Sequence, residues 1–395
     1  MPSLPAASVS RLRAWLTGRA LPLWATAGVD PAGGFVEALA LDGTPLPDLP
    51  RRMRVQARQI YVYSHAALLG WPGVAGGPDV AGGPDPRAAA RQGFDYLTRH
   101  YWHPEGGFRF AVARDGQPLD DRRELYEQAF ALLAMAWYGR ATGDGAAAEW
   151  IARILAFLDT RLADPVHGGF KEGAPADPDA PRRQNPHMHL FEAMLALHAA
   201  TGEARYLDRA RALLALLRGR FVDASSGALR EHFGRGWTPR DGDTLEPGHH
   251  FEWTWLLDRF AAATGETTAT ERARLYAFGR HGVDSADGLA FDGIALDGAV
   301  KANTKRLWVQ TEAIKAELTR HAAGEADAAA RVGRLLDGLF ARYLAAPGVA
   351  PGAWQDHIRR NGSGFAPNAP ASSLYHLFVM ASEVLRVAGD SGPLL

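Results

Sequence analysis

Cysteine is absent from the 395 residues, which excludes disulfides, thiolate metal centres and a cysteine nucleophile, and gives no sign of an oxidising compartment. Long apolar runs are missing as well. No stretch is long enough to span a bilayer, and the opening segment, MPSLPAASVSRLRAWLTGRA, is broken by prolines and arginines and holds no apolar core of signal-peptide length. A cytoplasmic protein with no membrane partner is expected. Charge of one sign is also lacking: 43 Lys+Arg against 44 Asp+Glu leave a formal net charge of −1, and no basic stripe interleaved with aromatics occurs, which argues against nucleic acid as a partner. Several chemical signatures are missing too. There is no G-x-S-x-G elbow for a Ser/His/Asp hydrolase and no phosphate-cradling loop of Walker or Rossmann type. His189, His249 and His376 with Glu252 would make a three-His-plus-carboxylate set, but no compact ligand motif such as H-E-x-x-H accompanies them, so neither a metal nor another cofactor is expected.

What is present is periodic. Glycine-led, strand-like segments recur at Gly33-Gly34-Phe35, Gly106-Gly107-Phe108, Gly168-Gly169-Phe170, Gly227-Ala228-Leu229, Gly288-Leu289-Ala290-Phe291 and Gly352-Ala353-Trp354. Successive members lie roughly 60 to 75 residues apart, a spacing that indicates a structural repeat. Most follow a turn residue a few positions earlier (Asp30, His103, Asp164, Asp223, Asp284), so each reads as a small hairpin. Between them the apolar period becomes helical, with helices expected at 9–26, 52–70, 86–100, 121–141, 145–162, 186–201, 204–220, 248–265, 269–283, 302–322, 325–345 and 371–388. Twelve helices in six pairs close naturally into an all-α, (α/α)6 barrel, with the hairpins at one mouth and the whole of 1–395 in a single domain. An open solenoid is the alternative, but it would need polar capping ends. The Gly/Pro-rich stretch 71–86, WPGVAGGPDVAGGPDP, reads as a surface insertion.

The unusual polar residues fall on this frame. The helix after each hairpin keeps them in its first two turns: Arg58, Tyr126, then Asn185, His189 and Glu192, then His249 and Glu252, then Trp308, Gln310 and Glu312, and finally His376. In a closed barrel these helices form the inner ring, and their N-terminal ends meet at the hairpin mouth. In PGHHFEWTW, Pro247 opens a helix and places His249 and Glu252 three apart on one face. Imidazole suits proton transfer near neutral pH. His187 and His250 read instead as packing residues, Glu312 with Lys315 as a helical ion pair, and Trp308 as either core or a platform for a sugar ring.

QARQIYVYSHA, LYEQAFALLA, NPHMHLFEAMLAL, EPGHHFEWTWLL, KRLWVQTEAIKA and LYHLF resemble, in order, the signature segments of the N-acylglucosamine 2-epimerase superfamily. The resemblance covers nearly the whole chain. The PGHHFEW and NPHMH spellings are most similar to the branch that holds mannose isomerase and sulfoquinovose isomerase; cellobiose 2-epimerases differ after the first His. The resemblance implies an (α/α)6 barrel and proton transfer on a reducing monosaccharide without metal or cofactor. It further implies that His249 and His376 are the acid/base pair, that Glu252 orients His249, that Arg58 and His189 polarise substrate oxygens, and that Tyr126, Asn185, Trp308 and Gln355 line the sugar pocket. Aldose–ketose isomerisation of mannose and fructose and 2-epimerisation both remain open at this stage. So does the oligomeric state, a homodimer being one option.

Overall fold

The computed structural model describes residues 3–71, 85–177, 179–240 and 242–389, so most of the 71–86 insertion lies outside the described residues. Six helices form the inner ring: α3 (Met53–Leu68), α5 (Leu125–Thr142), α7 (Gln184–Thr201), α9 (Pro247–Thr264), α11 (Leu307–Ala322) and α13 (Ser372–Val387). They read as nearly continuous apolar runs because each is covered by neighbours on every side. Around them pack α4 (Pro86–His100), α6 (Ala146–Phe157), α8 (Ala204–Leu216), α10 (Ala269–Gly279), α12 (Ala328–Leu339) and the run α1 (Ala6–Trp15) to α2 (Leu21–Thr26), joined by a π turn. This outer set is amphipathic. The packed pairs differ from the expected ones, which had a hairpin inside each pair: α3 packs on α4, α5 on α6, α7 on α8, α9 on α10, α11 on α12 and α13 on α1, so each hairpin lies between pairs.

Ring closure is visible in the backbone. The extended dipeptide that opens each inner helix pairs antiparallel with the next repeat: Arg51–Arg52 with Ala111–Val112, Arg123–Glu124 with Gly173–Ala174, Arg182–Arg183 with His232–Phe233, and Lys305–Arg306 with His357–Ile358. Leu245 bridges to Ile294 in the fourth repeat. The last joint, Asn368–Pro370 with Ala38–Ala40, links the sixth repeat to the first and rules out the open solenoid. Trp24 stacks on Trp354 at 4.7 Å beside this seam. These dipeptides also explain why the helices expected at 121 and 302 begin only at Leu125 and Leu307: the preceding residues donate to a neighbour's ladder instead.

Two polar devices recur and fix each hairpin to its inner helix. The first is an ion pair from the turn residue to the opening dipeptide, with Arg51 on Asp30, Arg182 on Asp164 at 3.0 Å and Lys305 on Asp284 at 2.9 Å. The second is a latch in the first turn of the helix. Gln56, Gln128 and Gln310 accept from the backbone N–H of Phe35, Phe108 and Ala290 at 2.8 Å and return a bond to the same residue's carbonyl. His187 and His250 hold the equivalent places, taking the N–H of Phe170 (3.1 Å) and Leu229 (2.8 Å) on Nε2. A buried backbone donor left without such a partner would cost about 1–3 kcal/mol.

Candidate active site

Counting from the latch brings the polar residues into register. Two positions after it, on the axial side of each inner helix, stand Arg58, Phe130, His189, Glu252 and Glu312, and α13 adds His376 to the same ring. Two positions before it stand Arg54, Tyr126, Asn185, Gly248 and Trp308, nearer the mouth. Gly248 has a steric reason: a Cβ there would lie 2.5 Å from the Trp308 ring. Without one, the indole settles against His249 at 5.1 Å and His376 at 5.6 Å, so one aromatic platform serves both histidines.

Each inward histidine has Nδ1 committed to a carboxylate, which leaves Nε2 for a ligand. His249 Nδ1 lies 3.0 and 2.9 Å from the two oxygens of Glu231, His376 Nδ1 lies 3.0 Å from Glu312, and His189 Nδ1 lies 3.2 Å from Glu192. Gln184 donates to Glu231 at 2.9 Å and is itself held by the Trp253 indole N–H. Tyr375 donates to Glu192. The Arg58 guanidinium donates to the Tyr126 hydroxyl (2.9 Å) and the Ser372 carbonyl (3.3 Å), and lies over the Phe130 ring. Lys315, wholly buried, lies 2.6 Å from Glu312.

These surroundings drive the two central histidines apart. Burial pulls the pKa of His249 down, but the carboxylates of Glu231, Glu246 and Glu252 outweigh it and push the group up to about 9. His376 is held well below 6.5 by burial and by the nearby cations Arg58 and Lys315. At neutral pH one imidazole is thus charged and the other neutral, an acid beside a base. His189 falls to about 4, mainly through burial, and is neutral too. Glu252 is raised well above 4.5 by burial and by the adjacent Glu312.

The structure therefore brings Arg58, Tyr126, His189, His249, Glu252, Trp308 and His376 to the axis, and revises two expectations. Glu252 does not orient His249: both its oxygens are buried without a hydrogen bond, and Glu231 takes that part. At i and i+3 the two side chains share a face, but Glu252 lies a turn deeper. Gln355 is committed to the backbone of its own loop, its amide oxygen accepting from Phe365 (2.6 Å) and Ala366 (3.1 Å). Asn185 keeps a buried, unpartnered Oδ1. Sequence reasoning missed Glu231 and Gln184. The signal for Glu231 was its place in the glycine-led segment, two residues after the latched Leu229. Two donor sets have the spacing of metal ligands, His189/Glu192/Glu252 and Glu252/Glu312/His376, each with three ligand atoms within 4.8 Å of one another.

A helical barrel of this kind, with its polar side chains gathered at one mouth, places the chain among the sugar isomerases and epimerases, and the chain is an isomerase. It belongs to the N-acylglucosamine 2-epimerase (GlcNAc 2-epimerase) family, whose profile matches residues 33–380. The chain is 38% identical to mannose-6-phosphate isomerase of Rhizobium meliloti over 94% of its own length and 95% of the relative's. It is 28% identical to D-mannose isomerase of Marinomonas mediterranea, covering 73% and 74%. Cellobiose 2-epimerase from Spirochaeta thermophila superposes with a TM-score of 0.85 at 26% identity over 96% of both chains. Among the described residues, no helix is long and apolar enough to cross a membrane.

Proposed function

We propose that the chain is an aldose–ketose isomerase that interconverts D-mannose and D-fructose by histidine-mediated proton transfer through a cis-enediol(ate). The observation that carries this reading is the placement of His249, backed by Glu231, and His376, backed by Glu312, against the one Trp308 platform. His376, with Nδ1–H on Glu312, presents a free Nε2 lone pair and takes the proton from C2 of the open-chain aldose. It returns the proton to C1, and the carbonyl passes from C1 to C2. His249, protonated, gives its Nε2 proton to O5 as the C1–O5 bond breaks and takes the O1 hydroxyl proton in return. It then gives that proton back to O1 of the enediolate and takes the O2 proton as the C2 carbonyl forms. Arg58 donates to the enediolate oxygen, where negative charge develops. His189, neutral with Nδ1–H on Glu192, offers an acceptor and orients a sugar hydroxyl. Tyr126 and Asn185 complete the lining.

An uncharged sugar fits this mouth better than a phosphorylated one, because the arginines around it already have carboxylates. Arg52 pairs with Glu37, Arg183 with Glu172 and Glu124, and Arg306 with Glu246 and Asp292. Four further arginines, Arg230, Arg235, Arg240 and Arg359, lie in the loop segments that precede the fourth and sixth inner helices. Arg230 pairs with Asp223, Arg240 reaches the Asp179 carbonyl, Arg359 lies over Phe365, and Arg235 lines a cleft between the second and third repeats.

The test is a time course in D2O with EDTA on mannose, mannose 6-phosphate, glucose, N-acetylmannosamine and cellobiose. Fructose from mannose, with deuterium at C1, is the expected product. An aldose epimer without ketose makes the chain a 2-epimerase, in which the two histidines serve opposite faces of C2. Turnover of the phosphate ester alone removes the neutral-sugar reading.

A further inference from the structure

Lys315 has no part in the scheme above, yet it sits among the charges beneath both histidines. Its Nζ is 2.6 Å from Glu312 Oε2 and 4.0 Å from the centre of the Trp255 ring, and it faces the carboxyl groups of Glu252 and Glu192. Its ion pair with Glu312 is the contact that holds it there. Around it the two metal-like triads overlap at Glu252, whose oxygens are both buried and unpartnered. Two imidazoles and three carboxyl groups are a donor set that first-row divalent cations accept. Buried carboxylates need a compensating cation, and here a side chain supplies it.

We propose that Lys315 is a positioning residue that fills this centre as a fixed monovalent cation, holding Glu312 against His376 and closing the five-donor cluster to divalent metal. Its ammonium stands beside Glu312 and Glu252, where a metal shared by the two triads would have to bind, and like charge excludes such an ion. Because Lys315 and Glu312 are neighbours on one helical face, α11 sets their geometry, and Glu312 in turn fixes the tautomer of His376. The inference rests on the reading of His376 as the base only for its effect on turnover. The exclusion of metal is independent of the sugar.

Lys315→Met and Lys315→Ala test it. Titrated with Co2+, Lys315→Met is expected to take up one equivalent and show ligand-field absorption, which the unaltered protein does not, and adding Glu252→Gln should abolish that uptake. Turnover of Lys315→Met should fall at least about tenfold with KM changed by less than about threefold, as for loss of a correctly poised base. Ethylammonium should restore part of kcat to Lys315→Ala, a rescue that a purely structural role would not give. A folded Lys315→Met that binds no Co2+ overturns the metal-exclusion claim, and one with full kcat overturns the positioning claim. Should the variant fold only when Co2+ is added, the proposal stands; failure to fold with or without Co2+ makes Lys315 a structural residue and overturns it. If no tested sugar turns over even with the unaltered protein, the functional reading fails, while the Co2+ result still decides this one.

Discussion

The fourth repeat lacks the arginine that the first, third and fifth carry at the helix entrance, and the surroundings of His249 depend on that difference. In those three, an acidic residue two places after the latched hairpin residue clamps an arginine at the helix entrance. Glu37 binds the backbone N–H and side chain of Arg52, Glu172 those of Arg183, and Asp292 those of Arg306. In the fourth repeat the entrance residue is Glu246. Glu231 still touches its backbone N–H at 3.3 Å, but with no arginine to hold, its carboxylate turns to His249. A structural clamp becomes a charge partner through loss of its mate. Adjacent histidines show the same division. His249 faces Glu231 and rises to about 9, while His250 is turned to the hairpin backbone and falls to about 4, chiefly by burial.

The sharpest way to break this contrast is to put glutamine in both kinds of place. His249→Gln and His376→Gln should each lower kcat by about 10²–10⁴-fold. His250→Gln should leave kcat intact, since glutamine already serves as the latch in three other repeats. Full turnover in either of the first pair would remove the proton-transfer mechanism.

Next in size is Glu231→Gln, which takes away the main carboxylate raising His249. The expected loss in kcat is about tenfold or more. The alkaline limb of the pH profile, set by a His249 that must be protonated and placed near 9, should move toward lower pH. An unmoved limb would show that His249 is not the titrating acid. Stability follows the same sign. The contribution from His249, whose folded pKa is raised, is fully present below its ordinary 6.5 and is lost as pH rises through about 9. His250, His187 and His189 are lowered, so their contribution is lost as pH falls from 6.5 toward 4 and below. The Tm measured against pH should therefore peak just above 6.5 and fall toward 9.

Smaller effects test the latch and the platform. His250→Ala should cost about 2 kcal/mol by orphaning the Leu229 N–H, and His250→Gln less than about 1, as read from chemical denaturation. Gly248→Ala should displace the Trp308 ring and raise KM a few-fold, with a stability loss of about 1 kcal/mol. A crystal structure of that variant with Trp308 unmoved would contradict the steric account.

Much of this was legible in the sequence because the repeat did the placing. Once six similar helix starts were recognised, Arg58, His189, His249 and His376 had to converge in any closed ring. The entrance dipeptides were not legible, since extended residues such as Lys305–Arg306 carry no period of their own and are fixed by pairing with another repeat. Nor was Glu231, whose role depends on Glu246 being a glutamate where the first, third and fifth repeats have arginine. Gln355 lay in a loop without periodicity, and its partners are backbone groups that no side-chain pattern reports.

The seam between Asn368–Pro370 and Ala38–Ala40 has a consequence for synthesis. The site draws Arg58 from near the start of the chain and His376 from near its end, and Arg58 is held by the Ser372 carbonyl just beyond the seam. A nascent chain can stack five repeats and still lack His376. The protein's activity is thus a signal that the last repeat has arrived and found the first.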